Sequence, residues 1–199
     1  MGRFRNNPPA PRLDWLQQSG GRLMKKTILT LALALAASTA MAQSATETTG
    51  INSALGVAPK TEDFVMQVSA SDLFEIESSK LALTMGDEAT KAFAQQMVTE
   101  HEKTSSELKA LLSGGKVKGT PATALTDDHK EEIDDLAKLD GAEFNEEYID
   151  DQVDAHEDAV DLFKRYAEGG DNAELKAWAA KTLPALQHHL EMAQGLDKK

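Results

Sequence analysis

Stepping along the chain at 100° per residue separates apolar from polar positions into four long stripes. The first stripe holds Val65, Val68, Ile76, Ala82 and Leu83, with Glu77 opposite it and solvated. The second holds Phe93, Ala94, Met97, Leu108 and Leu112; the third Phe144, Tyr148, Ala155, Ala159 and Phe163. The fourth holds Leu175, Trp178, Leu183, Leu186, Leu190 and Ala193. Their boundaries carry stop and start signals. Thr61 can cap the first helix, which ends at Met85 before Gly86. Asp87 can cap the second, which runs to about Leu112 before Ser113-Gly114-Gly115. Asp140 with Glu143 resembles a capping box for the third, which runs to about Glu168 before Gly169-Gly170. Asp171 or Asn172 can cap the fourth, which runs to about Gln194. Between the second and third lies a connector, 116–125, and a short helix, Asp127–Leu139, capped by Thr126.

Two helical hairpins joined by a longer link predict an all-α domain over residues 61–196. The arrangement is a ferritin-like four-helix bundle with a short extra helix in the crossover connection. An up-down bundle with a decorated loop fits the same pattern.

The N-terminal region reads differently. From Met24 the chain has a basic segment (Lys25, Lys26), an apolar run over 28–37 and Ala40-Met41-Ala42 before Gln43. That is the layout of a cleavable secretory signal, here residues 24–42. Residues 1–23 precede it and read as a start assigned too early; residues 43–60, polar and turn-rich, read as a flexible leader. A periplasmic or cell-envelope location is the expectation, with no transmembrane segment once the signal is removed. Residues 1–42 carry six basic residues and one acid, so their removal moves the formal net charge from −12 to −17. A surface so acidic repels nucleic acid and anionic lipid and attracts cations without selectivity. The chain has no cysteine, which removes disulfides and thiolate chemistry from consideration.

Polar residues interrupt each stripe. Asp72 and Glu75 fall on the first, His101 on the second, His156 (with Gln152 close by) on the third and His189 on the fourth; His188 and His129 point outward. An unpartnered buried ionisable group costs several kcal/mol, so one on each of four helices implies that they meet. Asp72 and His101 both lie 14 residues from the Gly86-Asp87 turn, roughly 21 Å along the axis at 1.5 Å per residue. The second hairpin fits less well. His156 lies 13 residues before Gly169 and His189 lies 18 beyond Asp171, an offset of roughly one turn that a bend at Pro184 can partly absorb.

Four segments, FEIESSKLAL, KAFAQQMVTEHEK, FNEEYIDDQVDAHEDAVDLF and LKAWAAKTLPALQHHLEMA, together resemble a bacterial family of exported proteins. It is the domain-of-unknown-function family 4142, described as ferritin-like and sometimes as "predicted outer membrane protein". The resemblance covers about residues 64–196 and implies a ferritin-like fold. It also implies a pattern in which Glu75, His101, His156 and His189 match a Glu and three His; it implies no activity. One departure from diiron ferritin-like proteins limits the analogy. The residues three before His101, His156 and His189 are Val98, Val153 and Leu186, so the Glu-x-x-His bridging carboxylates are missing.

Two readings of the inward polar set stay open. Glu75 or Asp72 with His101, His156 and His189 makes an N3O set for one Zn, Cu, Ni or Fe ion, in a domain that binds metal or responds to pH. Alternatively, the same groups form a hydrogen-bonded network that only fixes helix packing in a structural or envelope-interaction protein. A metal-dependent redox enzyme is a third reading. Nucleophilic and nucleotide chemistry have no motif behind them, since there is no Gly-rich phosphate loop and no G-x-S-x-G elbow. The segment 127–161 holds 16 acids in 35 residues. It can gather cations but lacks the D-x-D-x-D-G calcium loop, and it reads as a solvated face.

Overall fold

The computed structural model describes residues 51–197. The expected early start (1–23) and signal segment (24–42), and the first part of the leader, lie outside the described residues. The described residues contain helices and no strand: α1 (Ile51–Ala54), α2 (Thr61–Met85), α3 (Glu88–Ser113), α4 (Asp127–Leu136), α5 (Gly141–Gly169) and α6 (Ala173–Asp197). Among them, no helix is long and apolar enough to cross a membrane.

Local chemistry sets most of the boundaries. Asp87 accepts from Thr90 N (2.8 Å) at the start of α3 and Thr126 Oγ1 from His129 N (3.1 Å) at the start of α4, as expected of N-caps. Asn172, not Asp171, caps α6, its Oδ1 accepting from Glu174 N and Leu175 N. Asp171 is diverted to the other hairpin. It accepts from Thr61 N (3.1 Å) and from the Thr61 hydroxyl, so α2 starts at Thr61 itself and is capped from the neighbouring turn. The capping box expected at Asp140 does not form; its side chain makes no cap hydrogen bond. At Gly170 an added Cβ would lie 2.6 Å from the Tyr166 ring and its carbonyl, so the α5–α6 turn needs glycine for close approach.

The contacts between helix ends fix their directions. The start of α2 meets the α5–α6 turn through Thr61 and Asp171. The α2–α3 turn meets the start of α5 through Asp87 N and Asn145 Oδ1 (2.9 Å). The start of α6 meets the end of α3 where Trp178 Nε1 donates to Glu107 (3.0 Å). Therefore α2 runs antiparallel to α5, α3 antiparallel to α6, and α3 and α5 run the same way. The segment 114–140, with α4, must traverse the bundle from end to end. The packed pairs are α2–α3, α3–α6, α6–α5 and α5–α2, a closed ring of antiparallel neighbours.

Two apolar clusters fill the interior. One, at the α5–α6 turn end, contains Phe64, Val68, Leu108, Phe163, Tyr166, Leu175 and Trp178. The other, at the α2–α3 turn end, contains Ala82, Phe93, Met97, Phe144, Tyr148 and Ala193. Between them lies a buried polar layer: Asp72, Glu75, Ser78, Ser79, His101, Gln152, His156 and His189. α2 departs from the single stripe read in its sequence. Ser69, Ala70 and Phe74 are buried as well, because the traversing segment covers its outer side: Ser69 Oγ accepts from Ala122 N (2.6 Å) and the Phe74 ring stacks on His129 at 4.8 Å. His129, expected at the surface, is therefore half-buried. Residues 53–58 lie along α5, with Ser53 Oγ donating to Asp161 (2.7 Å) and Arg165 Nη1 to the Val57 carbonyl (2.7 Å).

Phe64 stacks on Tyr166 at 4.0 Å and touches the Phe163 and Trp178 rings. Phe64→Ala should cost about 3–5 kcal/mol in urea unfolding. Leu55→Ala, at a side chain 71% exposed, should stay within about 0.5 kcal/mol.

Candidate metal centre

Three imidazoles meet in the polar layer. His101 comes from α3, His156 from α5 and His189 from α6, and they are 3%, 0% and 2% exposed. Their ring centroids lie 5.3–5.5 Å apart. The offset read from the sequence between His156 and His189 closes through side-chain direction. On an α-helix every Cα–Cβ bond tilts toward the N-terminus. His156 thus leans away from the α5–α6 turn and His189 leans toward it, so the two rings approach. α6 runs unbroken through Pro184.

Each ring has one nitrogen engaged on its outer side. His101 Nδ1 donates to Asp72 Oδ1 (2.9 Å), and Asp72 Oδ2 in turn accepts from Ser105 Oγ (2.9 Å). His156 Nδ1 donates to the Gln152 carbonyl one turn earlier (2.8 Å). His189 Nε2 donates to Glu100 Oε2 (2.8 Å), whose other oxygen accepts from Gln96 Nε2 (2.9 Å). These acceptors fix the tautomers. The nitrogens left with lone pairs are His101 Nε2, His156 Nε2 and His189 Nδ1.

One ring nitrogen from each histidine lies within 4.8 Å of the other two. His156 Nε2 and His189 Nδ1 are 3.3 Å apart. With both outer nitrogens carrying the protons, that contact sets two acceptors face to face with no hydrogen between them. His101 Nε2 has no hydrogen-bond partner, and neither have Glu75 Oε2 and Gln152 Oε1. Buried polar atoms are nearly always satisfied. Five polar groups with unmet bonding capacity thus share one layer, and once His101 and Glu75 give up their protons the space suits a cation. A tetrahedral ion with nitrogen ligands at about 2.0–2.1 Å holds them roughly 3.3 Å apart. The His156–His189 pair already has that spacing, and His101, within 4.8 Å of both, would close on it by up to about 1.5 Å.

Protonation differs among the three rings. Burial, reinforced for both by the charge on His101, pushes His156 and His189 down to about 4, so they are neutral at pH 7. Burial works against the charge on His101, but its hydrogen bond to Asp72 and the nearby Glu75 and Glu100 outweigh it and hold His101 above its ordinary value. Burial raises Glu75 to about 7, against the pull of His101 and Gln152. Glu100 stays below the ordinary carboxylate range; burial opposes its charge, and the hydrogen bond from His189 prevails.

Residues 37–196 match the sequence profile described as a domain of unknown function, DUF4142. The chain belongs to this domain-of-unknown-function family 4142. No curated protein and no solved structure matches it.

Of the residues singled out from the sequence, the DUF4142 domain brings His101, His156 and His189 together. It places the two candidate carboxylates outside that ring of nitrogens: Asp72 on the far nitrogen of His101, and Glu75 with its Oε1 3.6 Å from His156 Nδ1. His188 is exposed, as expected. Glu100, Ser105 and Gln96 were not singled out. Glu100 sits next to His101 and so about 100° off the inward direction; only the length of its side chain, 39% exposed, lets it reach His189. His–carboxylate pairing of this kind orients imidazoles toward a metal.

A cleft of about 630 Å³ opens beside the layer, with Asp72 and His101 in its lining. Its walls carry Asp128, Glu132, Asp151, Asp154, Asp158 and Asp161. Burial and then the surrounding Glu147, Glu132, Asp154 and Asp150 raise Asp151 to about 7. A carboxyl whose folded value lies above its unfolded value contributes most below the unfolded value and loses that contribution as pH rises through the folded one. Asp151→Asn should therefore raise the melting temperature by a few degrees at pH 8 and by little near pH 4. Thermal melts of the two proteins across that range check the sign.

Proposed function

We propose that the DUF4142 domain is an exported, ferritin-like four-helix bundle that binds one transition-metal ion through His101, His156 and His189. The observation that carries this reading is the convergence of three buried imidazoles, each ring oriented from behind by Asp72, Gln152 or Glu100. An all-imidazole set suits Zn, Cu, Ni or Fe better than Mg or Ca. The antiparallel ring with one traversing link supports the ferritin-like arrangement, and the signal-like segment before Gln43 supports export to the periplasm or envelope. Three ligands leave a fourth position for water or an exogenous group. The role we infer is metal binding.

A second reading keeps the same residues as packing polarity only. The His101–Asp72 and His189–Glu100 hydrogen bonds favour it, since they tie helices together without any ion. Elemental analysis of protein purified from periplasm without a His tag separates the two. Metal binding predicts about one ion per chain, lost in the His101→Ala/His156→Ala double variant. At an ion concentration about 100 times Kd, the ion should add about 2.7 kcal/mol, a rise of roughly 5–10 °C in melting temperature that a chelator reverses. A chain that stays metal-free after exposure to Zn, Cu, Ni and Fe, with chelator-independent melting, is the packing-only protein.

A further inference from the structure

We infer that the acidic cleft between α2, α4 and α5 is the path by which a hydrated metal cation enters and leaves the histidine ring. This inference rests on the metal-binding reading and adds to it that the site is exchangeable rather than sealed.

The cleft's walls come from α2, α4 and α5, but its lining also includes His101 of α3 and Leu186 of α6. Those two helices form the opposite side of the ring of neighbours, so the cleft reaches past the near pair of helices into the bundle interior. His101 is 3% exposed, and its Nε2, the inward nitrogen of the candidate centre, has no hydrogen-bond partner. His156 and His189 do not line the cleft. An ion arriving by this route therefore meets His101 first.

Size and charge agree with a small hydrated cation. At about 30 Å³ per water, the cleft's 630 Å³ admits an ion with its hydration shell. Six acids line the walls and a seventh, Asp72, lies beside His101. The single Lys or Arg of the lining, Arg165, is held by Asp161 at 2.7 Å. Burial and crowding by Asp154, Asp161 and Glu157 push Asp158 up, and Asp151 is raised likewise. Negative potential is thus concentrated along the walls, where a cleft between low-dielectric surfaces focuses it. An anionic or apolar ligand would be repelled by the same walls. An acidic cluster by itself would signify little on so acidic a protein; its reach to the buried His101, whose ring carries an unpartnered Nε2, gives it direction.

The test is stopped-flow uptake of Cu²⁺ by the full folded domain, followed by the visible band of nitrogen-ligated copper. Asp151→Asn, Asp154→Asn and Asp158→Asn combined should slow uptake about tenfold at low salt and flatten its salt dependence. The final stoichiometry and band should be unchanged. A control with equal charge change, Glu88→Gln, Glu143→Gln and Glu168→Gln, alters exposed acids outside the cleft. It should load within about twofold of the unmodified protein. Unslowed uptake in the cleft variant, or equal slowing in the control, overturns the entry path while leaving the metal site intact. A protein that never develops the copper band overturns the metal reading, and the path with it. Circular dichroism of each variant confirms that the helices remain.

Discussion

The domain is organised around the burial of imidazoles and carboxyls at mid-length. Two apolar clusters would make an adequate core alone, yet a layer containing Asp72, Glu75, His101, Gln152, His156 and His189 divides them. Each such group sacrifices hydration worth several kcal/mol unless it finds a partner. Most find one on another helix: His101 on α3 with Asp72 on α2, His189 on α6 with Glu100 on α3, Gln152 on α5 with Ser78 on α2. Because these bonds are directional and the surrounding contacts are not, the layer fixes the axial register that apolar packing alone would leave loose. The same requirement explains the traversing segment. It covers the outer side of α2 with Val117, Ala122 and His129 and leaves a cleft beside the layer.

Much of this was legible in the residues. Four stripes at helical spacing, with glycines and capping residues between them, give four long helices within a few residues of those observed. The inward histidines follow from the same wheels, and His188 falls outward where the wheel puts it. The rest was hidden for definable reasons. A wheel assumes one buried face, so it undercounted α2, which the traversing segment covers on a second. A wheel also treats side chains as radial spokes. It therefore missed Glu100, whose long chain bends around from the helix flank, and it overstated the His156–His189 offset by ignoring the opposite lean of Cβ atoms on antiparallel helices. Thr61 read as a cap, but its hydroxyl is taken by Asp171, a residue 110 positions away whose engagement no local pattern encodes.

The chemistry of the layer also limits what kind of centre it can be. Diiron bundles place bridging carboxylates between their metals and histidines at the flanks. Here Val98, Val153 and Leu186 occupy the positions one turn before the histidines, and the carboxyls that are present sit behind the rings. Asp72 and Glu100 spend their oxygens accepting from imidazole N–H, Ser105 and Gln96. Carboxylates so engaged raise the basicity of the ligand and hold its orientation, but have no oxygen left to bridge two ions. The layer thus supplies no bridging carboxylate for a second ion, and Glu75 is the remaining carboxyl whose role is not already assigned. Its Oε2 has no partner, and burial keeps it protonated up to about pH 7. A cation in the ring would reverse that balance, since a positive charge nearby favours the carboxylate. Loading the ring and ionising Glu75 are therefore coupled: the ion would release the Glu75 proton together with any proton on His101, and affinity for the ion would rise with pH through the neutral range.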